Sequence, residues 1–164
     1  MSSPARCFVA CDVTNLVDSC RRQYGDDARL DFGMLGRVVP AVLHPEIVTQ
    51  VLTAYIVVHN KTKSGQNTFQ RALNHLGFTV KSRDTHTRTD WDVGIAIDAV
   101  DRLPHYDTYV LMSGDGDFAM LLEYLRAHGK RTIVMTFELS ASRKLYDTAD
   151  LVIPFTQAVV TRKT

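Results

Sequence analysis

Several things are scarce in this chain, and each scarcity excludes something. Only three cysteines, Cys7, Cys11 and Cys20, occur in 164 residues. An odd number without regular spacing argues against a disulfide framework and points to a reducing compartment. No apolar run approaches the roughly 20 residues of a membrane span. The first residues lack the hydrophobic core of a secretory signal. The expectation is a cytoplasmic protein with no membrane role. The net charge is only +1, so any nucleic-acid function needs a local basic patch rather than a global one. His59 and His86 stand at no metal-ligand spacing from another histidine or cysteine, which argues against zinc. No Gly-x-Gly-x-x-Gly follows the first strand pattern, which argues against a dinucleotide site.

What is present is an ordinary globular composition. Hydrophobic residues make up 45% and charged residues 23%, enough apolar material for one domain over residues 1–164, with a core at about 7–155. Strand-like and helix-like patterns alternate. Residues 7–12 read as a buried strand, with Cys7 and Cys11 on one face as small hydrophobes. Residues 13–24 read as a loop entering a helix. Helical spacing recurs at Phe32, Leu35, Val38, Val39 and Val42, with Pro40 expected to kink or end that helix. The β-branched stretch 48–58 predicts a central strand. A polar loop at 61–65, a helix at 68–76 stopped by Gly77, and a strand at 78–82 follow. Residues 92–103 read as a helix with Val93, Ile97 and Val100 on one side. Strands at 108–112, 131–136 and 151–153 alternate with helices at 118–128 and 140–146, and residues 161–164 read as a frayed tail. The predicted class is α/β: a mostly parallel central sheet flanked by helices.

The chemistry concentrates in Ser113-Gly114-Asp115-Gly116-Asp117-Phe118, between the apolar run ending at Met112 and a helical pattern. Two carboxylates thus stand at the carboxyl end of a strand, where open α/β sheets bind ligands. Crowded carboxylates raise one another's pKa, and a hard cation or a shared proton relieves them. Asp12 ends the first strand, and Asp92 opens a helix after Asp90-Trp91. Singly, each has a structural use, as an N-cap, a turn or a first-turn acid. Four acids at three strand ends fit one crevice and a divalent cation better than four unrelated caps. Such a cation polarises a phosphodiester and activates water for in-line attack. Asp98 lies about 240° around the helix from Asp92 and Asp101 about 180°, at about 100° per residue, so both are expected outside the cluster.

Three segments carry a resemblance: Asp12-Val13-Thr14-Asn15, then Asp92-Val93-Gly94-Ile95-Ala96-Ile97-Asp98-Ala99, then Ser113 to Phe118. Gly129-Lys130 and Ala149-Asp150 add to it. The chain resembles the NYN family, a branch of the PIN-like metal-dependent nucleases, over nearly its whole length. The resemblance implies a three-layer PIN-like Rossmannoid fold and Mg²⁺- or Mn²⁺-dependent hydrolysis of RNA, with an endonuclease mode expected. By position it makes Asp12, Asp92, Asp115 and Asp117 the catalytic and metal-binding acids, with Asn15 and Ser113 in support.

The residues themselves add a basic set, Lys61, Lys63, Arg83 and Arg88, on loops expected to open on the acidic edge and hold RNA phosphates. Lys81 and His86 belong to the same region. Trp91 fits either packing or base stacking. A homodimer or another protein partner is a further option. One departure stands out: the family commonly carries a lysine three residues before the helix aspartate, and that position is Thr89, beside Arg88. It motivates an alternative, a catalytically weak NYN-fold module that binds RNA or protein. A haloacid-dehalogenase-type phosphatase needs a second aspartate two residues after the first, and Thr14 stands there.

Overall fold

The computed structural model describes residues 5–43, 47–58, 63–84 and 90–163. In chain order these form β1 (Ala5–Asp12), α1 (Val13–Tyr24), β2 (Ala28–Leu30), α2 (Phe32–Leu43), β3 (Ile47–Val58), α3 (Lys63–His75) and β4 (Phe78–Asp84). Then come α4 (Asp92–Asp101), β5 (Thr108–Met112), α5 (Ala119–Ala127), β6 (Arg131–Thr136), α6 (Arg143–Thr148), β7 (Leu151–Pro154) and β8 (Val160–Arg162). Six strands form one sheet in the order β4-β3-β1-β5-β6-β7, with every neighbouring pair parallel. The chain winds outward from β1 through β3 to β4, then returns to β5 on the other side of β1 and winds outward again. The carboxyl ends of β1 and β5 therefore flank a topological switch point.

Burial on both faces explains the apolar strand runs. Along β1, Cys7, Val9 and Cys11 join one core cluster, while Phe8 and Ala10 join the other. The first cluster takes Leu16 and Cys20 from α1, Leu35 and Val39 from α2, and Leu73 from α3. The second takes Ile95 and Ala99 from α4, Leu121, Leu122 and Leu125 from α5, and Leu145 from α6. The result is the expected three-layer α/β arrangement.

Several local expectations need correction. Residues 13–24 are helical from the first residue, because Asp12 ends β1 and caps α1 at once: its carboxylate accepts from the Asn15 backbone N–H at 3.4 Å. Pro40 lies inside α2 without ending it. A proline removes the hydrogen bond to the carbonyl four residues earlier, and here the Gly36 carbonyl accepts instead from Gln50 Nε2 at 3.1 Å. The expected loop at 61–65 is in part the first turn of α3, which opens at Lys63. The expected tail at 161–164 overlaps β8, which pairs antiparallel with β2. The ends of both strands are fastened by Arg162 on Asp27. On α4, Val93, Ile97 and Val100 share one side as expected, and that side faces outward: Val93 is 68% and Ile97 60% exposed, while Gly94, Ile95 and Ala99 are buried.

Candidate metal centre

The site is built on the switch point. Asp12 ends β1 and Ser113 directly follows the neighbouring β5, and both are buried. Ser113 Oγ donates to Asp12 Oδ2 at 3.0 Å and accepts from the Asp115 backbone N–H at 3.2 Å. Asn15, on the first turn of α1, accepts the Gly114 N–H on its Oδ1 at 2.9 Å. Asp115 accepts the Asp117 N–H at 2.9 Å, which shapes the 3-10 turn Gly116–Phe118. Ser113 and Asp115 thus each fix the backbone of the next polar residue of the motif.

The two glycines serve close approach. A Cβ on Gly114 would lie 2.7 Å from the Ser140 carbonyl oxygen, and one on Gly116 would collide with Ser142 Oγ. Ser142 N–H donates to the Gly114 carbonyl at 3.0 Å, so the loop after β6 clamps the motif from the side. Phe118, buried in the second core cluster, anchors its far end.

Asp92 arrives by a longer route. β4 is two strands away from β1, and Trp91, at the entry to α4, stands against β3 between them. Its indole N–H donates to the Ile56 carbonyl at 2.7 Å and its ring meets Tyr55 edge-on. Gly94 makes room, since a Cβ there would lie 2.6 Å from the indole. Trp91 is therefore a packing residue, with the Arg83 guanidinium over its ring at 4.5 Å. Behind it, Asp98 accepts from Lys81 Nζ at 2.5 Å and from the Tyr55 hydroxyl at 2.8 Å, tying α4 to β3 and β4. Lys81 is thereby occupied, and Asp98 is a fastening for α4 outside the cluster.

Oxygens of Asp92, Asp115 and Asp117 lie within 4.8 Å of one another. Asp12 stands beside them, deeper, with both oxygens accepting hydrogen bonds. Its pKa is pushed up to about 6 by burial, then by the charges of Asp115 and Asp90, against the lowering effect of the Ser113 and Asn15 hydrogen bonds. Asp92 is pushed up to about 6 by burial first, then by Asp90, Asp115, Asp12 and Asp117. Asp90 is an exposed acid that sequence reasoning passed over; its spacing of two from Asp92 was the available signal. Among the described residues, no ion pair involves any of these acids. Three converging hard oxygen donors with no partner cation among the described residues fit a hard divalent cation and do not fit a soft metal.

Of the basic residues, Arg83 is described and lies over Trp91. Lys63 opens α3, with only its backbone described; Lys61, Arg88, Thr89, His59 and His86 lie outside the described residues.

Sheet order, switch point and carboxylate set together define the class, a doubly wound parallel α/β fold with an acidic cluster at its switch point. Residues 6–156 match the NYN domain, and the chain belongs to the NYN domain family. Among curated proteins it is similar to the low amplitude and bright protein LabA of Synechococcus elongatus, 32% identical over 65% of this chain. The match spans 62% of that relative's length. Among solved structures it is similar to a protein of unknown function from Vibrio parahaemolyticus, with a TM-score of 0.80 and 30% identity over 98% of this chain and 100% of that one. No helix among the described residues is long and apolar enough to cross a membrane.

Proposed function

We propose that the protein is a divalent-metal-dependent ribonuclease, cleaving RNA phosphodiester bonds internally at the Asp92–Asp115–Asp117 cluster. The observation that carries this reading is three carboxylates with oxygens within 4.8 Å of one another at the switch point, on a chain of the NYN domain family. Asp92, Asp115 and Asp117 would hold Mg²⁺ or Mn²⁺. When bound, such an ion polarises the phosphodiester and lowers the pKa of an attacking water. Asp12 supports from behind, a buried acid held by Ser113 and by the α1 backbone. Asn15 and Ser113 set the backbone of the motif, so the two loop carboxylates keep their positions without help from substrate. Arg83, with Lys61, Lys63 and Arg88, would take RNA phosphates away from the acids. Three free, buried cysteines accord with a reducing, cytoplasmic setting.

Thr89 in the place of the family's usual lysine favours a second reading, a binding module with little turnover. One assay separates the two. Purified protein is incubated with a single-stranded and a hairpin RNA and Mg²⁺ or Mn²⁺, alongside Asp115→Asn and an EDTA control. Metal-dependent cleavage that Asp115→Asn abolishes is the expected result. RNA binding without cleavage, the same in Asp115→Asn, establishes the binding module instead.

A further inference from the structure

The outward side of α4 is apolar without being covered. Val93 is 68% and Ile97 60% exposed, and Met120 on α5 is 78% exposed. Isolated exposed apolar residues need no explanation, but a contiguous set beside a cleft does. Between α4 and α5 runs a groove of about 350 Å³, walled by Val93, Ala96 and Val100 on one side and Met120, Leu121 and Tyr124 on the other. Its remaining lining includes Asp92 and Asp117, two of the three clustered carboxylates. The groove therefore opens directly from the cluster. Size, apolar walls and polar groups gathered at one place match a small-molecule cleft.

We propose that this groove seats the nucleobase of the nucleotide whose phosphate lies at the Asp92–Asp115–Asp117 cluster; the proposal rests on the reading of that cluster as a cation site for RNA. A nucleotide joins an anionic phosphate to a flat, uncharged ring. The groove joins a cation site to apolar walls in the same order. Tyr124 supplies an aromatic wall, backed by His128 with ring centroids 4.1 Å apart. Met120 supplies a pliable thioether opposite α4. The residues lining the groove that carry polar side-chain atoms are Asp92, Asp117 and Tyr124, too few to read base edges. The seat thus takes the face of any base and discriminates little among the four. A second copy of the chain fits less well. Asp92, Asp117, Asp101 and Glu123 stand on or beside this face, and two copies face to face would oppose these like charges.

The test is titration calorimetry of the full chain with Mn²⁺ alone, then with AMP, UMP or ribose 5-phosphate in the presence of Mn²⁺. AMP and UMP should bind with similar affinity, and ribose 5-phosphate about tenfold more weakly, the scale of one base–aromatic stack. Val93→Ser and Met120→Ser alter exposed side chains. Each should weaken AMP binding several-fold and leave Mn²⁺ and ribose 5-phosphate unchanged. Ribose 5-phosphate binding as well as AMP, or variants that bind AMP like wild type, would overturn the seat while a normal Mn²⁺ isotherm keeps the cluster reading. Loss of the Mn²⁺ isotherm itself overturns both. A wild-type dimer in sedimentation that Met120→Ser dissolves assigns the face to a second copy and also overturns the seat.

Discussion

The two ends of the central sheet treat their carboxylates in opposite ways. At the amino-terminal ends of the strands, Asp107 receives Arg6 at 2.9 Å and Asp150 receives Arg126 at 2.9 Å. The Arg6 hydrogen bonds hold Asp107 down at about 2, and Asp150 is likewise lowered, by its Thr132 hydrogen bonds and by Arg126 against the effect of burial. At the carboxyl ends, Asp12 and Asp92 are pushed up to about 6, and no described cation pairs with the cluster. Among the described residues, the same residue type in the same layer is answered by arginine at one end and by no cation at the other. Acids that no described cation answers, gathered at a switch point, are what the proposed cation site needs.

Answering the acids internally should break the contrast most severely. Asp117→Arg places a guanidinium in the cluster at an exposed position. Cleavage should fall by about a hundredfold or more, the scale of losing a charge-stabilising group at a reacting centre. The metal-free variant should melt no lower than wild type and should gain no stability from Mn²⁺. Retained Mn²⁺-dependent cleavage would erase the distinction between the two ends.

Ser113→Ala probes the scaffold behind the acids. It takes one donor from buried Asp12 and an acceptor from the Asp115 N–H. Urea unfolding should show a loss of about 1–3 kcal/mol, the cost of unsatisfied buried polar groups. A variant as stable as wild type would show that the serine is not holding the motif.

The two ends should also respond to pH with opposite signs. Asp12 and Asp92, raised to about 6, bind protons more tightly folded than unfolded. Their contribution is fully present below the ordinary carboxylate value of about 3.9 and is lost as pH rises through 6. Asp107, lowered to about 2, contributes above that ordinary value and loses its contribution as pH falls toward 2. Metal-free protein should therefore gain stability as pH falls from 7.5 to about 5, then lose it below about 4. Asp12→Asn should flatten the first arm only, which thermal melts across pH will show. The smallest effect belongs to Arg6→Ala. Its exposed ion pair is screened by salt, so its melt near neutral pH should fall only slightly below wild type, and the loss of stability below about pH 4 should be blunted.

The acidic motif and the strand–helix alternation were legible in the sequence because their causes are local: the run Tyr109 to Met112, the tight Gly114 and Gly116 turn, and the helical spacing after it. What escaped depends on distant partners. Asp98 is fastened by Lys81 and Tyr55, which lie 17 and 43 residues away. The carbonyl that Pro40 strands is met by Gln50, a rescue no propensity contains. Strands β2 and β8 are three residues each and define one another only by pairing across the chain. The exposed side of α4 carries the same apolar spacing that a core-facing side would carry, so periodicity alone could not orient that helix. Asp12 was expected as a fourth cluster acid; its place behind Ser113, outside the converging trio and with both oxygens hydrogen-bonded, was not legible.

The most direct test of the central claim is a Mn²⁺ titration of metal-free protein at pH 7.5, for wild type and Asp115→Asn, by calorimetry. Saturable binding in wild type that is lost in Asp115→Asn is the predicted result. An absent isotherm, or one that Asp115→Asn leaves unchanged, would contradict the account of the unanswered acids as a cation site.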